Sequence, residues 1–295
     1  MEESYSARPL FGRFLALDLR PTRPLTFLGP GAAVLCGAVT SGGLALHGQS
    51  LLFLIFSLLL GDVLLGAWRA LWLQTEWRDA LRRSTANQPS WYSPSAEAGG
   101  WRIVRWLRRT AQRVRYLRKV VLPLIDSEIV GMFMVGVLAL SVAAVLGQAA
   151  VALTLVAMVF ALIEGQVGEA RGAGLRAVFE IALPWLIAQS AFGYFSWRAL
   201  FYILLFTLVY RALLGLSAAR QDKWIAWNNL ALVAAALVLF ASNAPVNAGV
   251  VALGLLAQVL WQARYRVNRD GRAYAQQVQS YVLVAMLAVG LSLWL

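Results

Sequence analysis

Of the 26 basic residues in this 295-residue chain, every one but Arg198 falls in the N-terminal head or around every second connection between long apolar stretches. A water-soluble core has no reason to sort its charges in this way. A bilayer does, because Arg and Lys are retained on the cytoplasmic side of short loops. Composition agrees: 60% hydrophobic residues, 14% charged residues and a mean hydropathy of +0.66 exceed what one aqueous core hides. The solvent for most of this chain is lipid.

Runs of roughly 18 or more apolar residues read as membrane spans. They predict nine helices, near 25–46, 50–72, 125–145, 148–164, 176–194, 197–217, 225–243, 245–263 and 278–295. The fold class expected is all-α, a polytopic bundle of nine transmembrane helices forming a single transmembrane domain over 1–295. The connections after the first, third, fifth and seventh spans, "LHGQS", "LGQAA", "FGYFSWR" and "SNAPVN", are short and nearly uncharged. The positive charge lies on the other side, so the N-terminus is expected in the cytoplasm and Leu295 outside, in an inner membrane crossed many times. Topology and attraction to anionic lipid account for the net charge of +12 without nucleic acid as a partner.

Residues 1–24 read as a cytoplasmic head, with Leu10, Phe11, Phe14, Leu15 and Leu17 suited to a short helix in the interface. No small-residue cleavage site follows, so no signal peptide is expected to be removed. The longest polar segment, 73–124, begins with a Ser-, Pro- and Gly-rich loop and continues as "WRIVRWLRRTAQRVRYLRKVVLPL". Its apolar residues recur at helical spacing and its arginines fall largely off that stripe, which predicts a basic amphipathic helix on the cytoplasmic surface. Interfacial packing explains such a helix. Its functional reading is that arginines grip a phosphate or diphosphate, because a guanidinium binds phosphate oxygens in pairs.

Cys36 is the only cysteine and His47 the only histidine. A disulfide framework, a bis-histidine haem and a His-rich zinc site therefore cannot be built within one chain.

Acids are few enough to take singly. Asp62 falls near the middle of the second span, where an unpaired carboxylate costs roughly 2.5–3.5 kcal/mol on the insertion scale. It must face the bundle interior or be protonated, and Arg69, two turns on along the same face, is one partner to consider. Glu76 and Asp79 share a face just beyond that span. Asp126 and Glu128 open the third span, Glu164 and Glu169 bracket the inner end of the fourth, Glu180 enters the fifth, and Asp222 stands between the sixth and seventh. Capping and surface pairing are the ordinary roles of charges near helix ends.

Nine spans in this orientation resemble the UbiA-type intramembrane prenyltransferases along the whole chain, a family whose large inner loops after the second and sixth helices cap the active site. That family carries an Asn-Asp-x-x-Asp-x-x-x-Asp-like motif at the inner end of the second helix and an Asp-x-x-x-Asp-like motif after the sixth, which hold Mg²⁺ on a prenyl diphosphate. Here the two regions read "GDVLLGAWRALWLQTEWRDALRR" and "RALLGLSAARQDKWIAWNN", and neither motif is intact. The resemblance implies metal ligation by Glu76, Asp79 and Asp222, catalytic roles for Asp79 and Asp222, and a diphosphate held by Arg102, Arg105, Arg109 and Lys223. The loss of most acids implies a divergent or inactive member.

Pro184 with Gln189 and Ser190 in the fifth span, and Asn228, Asn229, Gln258 and Gln262 in the seventh and eighth, place polar groups at membrane depth. Asp62, Glu180, Gln189 and Asn228 are the expected polar cavity residues. The amides are equally suited to joining neighbouring helices. Three functions follow: a UbiA-like protein handling an isoprenoid or lipid substrate, a non-catalytic subunit of a larger complex binding quinone, pigment or lipid, and a small-molecule or lipid transporter in which Asp62 and Glu180 act.

Overall fold

The computed structural model describes residues 25, 27–43, 47–74, 110–112, 114–116, 119, 122–167, 169–193, 195–219, 222–268 and 270–294. Besides short helical pieces between 110 and 116, nine helical rods follow one another among the described residues, and no strand forms. They are α1 (Pro30–Thr40), α2 (48–74), α3 (Leu122–Leu146), α4 (Gln148–Val167), α5 (169–191), α6 (Trp197–Ala219), α7 (Lys223–Ala241), α8 (Pro245–Asn268) and α9 (Gly271–Trp294). Among the described residues, five stretches are long and apolar enough to cross a membrane: Gly48–Leu73, Trp197–Ala218, Lys223–Ala241, Pro245–Tyr265 and Gly271–Trp294. Phe133, Leu237, Phe240, Leu253 and Leu260 point outward from α3, α7 and α8. So much exposed apolar surface suits lipid and not water.

The first rod departs from the expected 25–46 span. At 11 residues, α1 is only about 16 Å long, roughly half the hydrocarbon thickness. Its ends are set by local chemistry: Gly29 is extended, Pro30 fixes the first helical φ, and Gly42 adopts a φ of +66° just beyond Thr40. The chain before α1 is nonetheless held inside the protein. Leu25 and Leu28 are buried, and the Phe27 backbone N–H donates to Gln279 Oε1 on α9 at 3.0 Å. Non-helical backbone at membrane depth requires such internal partners.

Two buried apolar clusters meet on α5. Ile181, Ala182 and Trp185 pack into one with residues of α1 and α6 to α9, while Phe179, Leu183 and Ile187 pack into the other with α2, α3 and α4. Helix α5 is therefore the wall between the two parts of the bundle, and a polar group on it is screened from lipid on both sides. Contact between α1 and α5 is close enough to demand glycine. A Cβ on Gly37 would collide with the Trp185 carbonyl oxygen and lie 2.8 Å from Ala188 Cβ.

Candidate functional site

Helices α2 and α5 each contain one π-helical turn, and each turn carries one of the acids that the sequence places at membrane depth. Leu59–Leu64 carries Asp62 and Val178–Ala182 carries Glu180. A π turn re-aims the side chains that follow it, and such turns recur at functional sites. In α5 it sits directly before Pro184, whose missing N–H would otherwise break the regular ladder. Gln189 and Ser190 are not used to repair that break: Gln189 Nε2 donates to Thr40 Oγ1 at 2.9 Å and Ser190 Oγ to the Ile187 carbonyl at 2.8 Å. In α2, Gly61 precedes Asp62, and a Cβ there would lie 2.9 Å from Val34 Cγ2 and 3.3 Å from Pro184 Cβ. Bare backbone at Gly61 lets α1, α2 and α5 converge beside the acid.

An ion network ties four helices together at this level. Arg69 donates from Nε and Nη2 to the two oxygens of Glu164, each at 2.7 Å, and from Nη1 to Glu180 Oε1 at 2.8 Å. Arg176 Nε donates to the same Glu180 oxygen at 3.0 Å, one turn away on α5. The Tyr210 hydroxyl on α6 donates to Glu180 Oε2. Arg69 also lies 5.8 Å from the centroid of Phe179. Side-chain exposure is only 16% for Arg69, 10% for Glu164 and 9% for Glu180. Charges withdrawn this far are tolerable because both carboxylates have a cationic donor, and losing one partner would strand the other.

Beside the network lies a cavity of about 120 Å³ lined by Leu25, Phe27, Leu28, the first turn of α1 (Gly29, Pro30, Gly31, Ala32), Asp62, Glu180 and Tyr210. Two of the expected cavity acids thus come together, one from each π turn. Asp62 stands against the start of α1, where a Cβ added at Gly31 would be 3.8 Å from its Oδ2. A carboxylate at that place complements the positive end of the helix dipole. One side of the cavity is apolar and the other charged.

Gln189, Asn228, Asp222 and Lys223 lie away from the cavity. Gln189 joins α5 to α1 through its Nε2, since Thr40 Oγ1 accepts from both Gln189 and Trp185 Nε1 and donates to the Gly37 carbonyl. Asn228 is buried between α7 and α8, where its Nδ2 donates to Gln258 Oε1 at 2.8 Å. Asn229, the next residue, and Gln262, one turn on from Gln258, form a second amide pair. Asp222 is exposed at the start of α7 and accepts from the Tyr265 hydroxyl at 3.5 Å, and neither it nor Lys223 lines the cavity. Glu76, Asp79, Arg102, Arg105 and Arg109 lie outside the described residues.

By sequence Glu164 has a helix-end role and Arg69 is one partner for Asp62. The guanidinium instead commits its three nitrogens to Glu164 and Glu180. Tyr210 carries no signal in the sequence, since a tyrosine in an apolar span means little until its neighbour is known.

The donor set does not suit Mg²⁺. Both Glu164 oxygens and both Glu180 oxygens already accept from protein donors, and among the described residues no group of three or more His, Cys, Asp or Glu is arranged to hold a metal ion. The chain matches no family model, no curated protein and no solved structure. What the cluster offers is a fixed, charge-balanced wall on one side of a small amphipathic cavity.

Proposed function

We propose that the chain is a UbiA-like integral membrane protein of nine spans, with its N-terminus in the cytoplasm and Leu295 outside, in an inner membrane. On this reading it handles an isoprenoid or other lipid and is divergent or inactive as a polyprenyl transferase. The observation that carries the reading is the placement of Arg69: a guanidinium sits between Glu164 and Glu180 at membrane depth, where transfer by ionisation of a diphosphate would call for carboxylates left open to Mg²⁺. The cavity supports the lipid half of the reading. Its volume of about 120 Å³ admits a polar headgroup and not a long chain, and Leu25, Phe27 and Leu28 offer the apolar side against which a tail would begin.

The test is turnover by the purified full-length chain with a long-chain prenyl diphosphate, Mg²⁺ and an aromatic acceptor. Diphosphate release at the level of protein-free controls is expected. Release well above those controls that disappears when Glu76, Asp79 and Asp222 are all neutralised would overturn the reading and restore an active metal site.

One observation favours a second reading, passage of a small polar solute. The two intramembrane acids lie on π turns and line one cavity beside the half-length helix α1. Broken helices around a polar site are a feature of carriers. Uptake by proteoliposomes that is unchanged after Asp62→Asn with Glu180→Gln would remove that reading.

A further inference from the structure

A second cluster of charge lies away from the cavity, where the first turns of α5 and α7 meet the last turns of α6. Trp224 is laid flat on Gly215, so closely that a Cβ on that glycine would be 2.5 Å from the ring. Two cations share this one indole: the Arg211 guanidinium and the Lys223 ammonium each lie 5.4 Å from its centroid. Twice that distance is the most that can separate them. Gly174 of α5 closes the third side, and a Cβ there would be 3.6 Å from the guanidinium carbon.

Both cations are exposed, and neither has a carboxylate within ion-pair distance among the described residues. The neighbouring acid, Asp222, directs an oxygen to Tyr265 on α8 and makes no side-chain cap for α7. Two like charges on one ring repel, and the N-terminal end of α7 adds positive potential at the same place. Among the described residues no carboxylate pairs with either cation, so the arrangement calls for an anion, and an anion at an uncapped helix N-terminus is favoured in its own right.

The adjoining surface indicates what carries that anion. From Lys223 along α7, Trp227, Leu230 and Leu237 form one exposed apolar face at helical spacing. We propose that Arg211, Lys223 and Trp224 bind the phosphate of an anionic membrane phospholipid, with its acyl chains lying along this face of α7. Arg211 supplies a two-pronged fork for phosphate oxygens and Lys223 a point charge. Trp224 holds both at the headgroup level, where indoles are enriched. The site requires neither a prenyl group nor turnover, and it stands whether or not the lipid-handling reading above holds.

The experiment is thermal unfolding of the full-length chain in a neutral detergent, titrated with phosphatidylglycerol, with phosphatidylcholine, or with inorganic phosphate. A ligand that binds only the folded protein raises the midpoint. Phosphatidylglycerol is expected to raise it at low mole fraction, and the other two are not. Arg211→Gln and Lys223→Gln are each expected to raise the concentration needed by roughly fivefold, given the contribution of one basic residue near an anionic surface. Arg264→Gln, which removes a cation from Trp261, is expected to leave it unchanged. Lys223 is exposed at a helix terminus, so its variant folds if the parent does. An equal phosphatidylglycerol response in the Lys223 variant and the parent would overturn the assignment. So would an equal response to inorganic phosphate, which would make the ligand a soluble anion.

Discussion

Arg69 on α2 and Glu164 on α4 face each other through two parallel hydrogen bonds, from Nε and Nη2, both 2.7 Å long. The third guanidinium nitrogen reaches Glu180 on α5, so one side chain spans three helices and, through Tyr210, reaches a fourth. In lipid no water is at hand to replace a lost partner. The network is therefore worth most as a set.

Replacing Arg69 by Met should cost about 3–5 kcal/mol of stability, the range for stranding one partner of a buried pair. Adding Glu164→Gln should recover a large part of that loss, because Glu180 keeps Arg176 as its partner and no stranded carboxylate then remains. Equilibrium unfolding in detergent of the single and the double variant checks this. Arg69→Lys should fall between them, since an ammonium cannot match both Glu164 oxygens with a planar fork.

The helices themselves were legible in the sequence, because apolar runs in lipid have only one way to satisfy their backbone. The observed rods begin and end within a few residues of most of those runs, and Asp62 and Glu180 stood out as acids with nowhere polar to go. What could not be read was partnership. Arg69 and Glu164 are 95 residues apart, and no periodicity connects them. The first rod is shorter than its apolar run for a related reason: hydropathy counts Gly29 and Gly42 as neutral, whereas their backbone geometry bounds the helix. The π turns were equally hidden, since they are set by packing around Pro184 and Gly61 and not by a local composition.

Gly37→Ala should destabilise by about 1–3 kcal/mol, the range for overpacking a filled interior. The new methyl meets the Trp185 carbonyl and Ala188, and neither is the end of a flexible side chain. Gly249→Ala on α8 is the contrasting case, because a Cβ there meets nothing within 4 Å. It should be neutral or gain up to about 1 kcal/mol from helix propensity. Thermal midpoints of the two variants measured side by side separate close helix approach from a general intolerance of side chains.

The amides between α7 and α8 predict a coupling. Asn228→Leu alone leaves Gln258, buried like its partner, without the Asn228 donor and should cost about 1–2 kcal/mol. The double variant Asn228→Leu with Gln258→Leu should cost less than the sum of the single changes. Additive losses in a double-mutant cycle would mean that the two side chains act independently and that the pair does not join the helices.

The most direct measurement is the unfolding temperature of the purified full-length chain with a long-chain prenyl diphosphate, with and without Mg²⁺. A protein that receives an isoprenoid headgroup beside carboxylates already bound by Arg69 and Arg176 should be stabilised equally in both conditions. Stabilisation that appears only with Mg²⁺ would contradict the account, because it would require a working metal site, and the absence of stabilisation in both conditions would contradict isoprenoid binding itself.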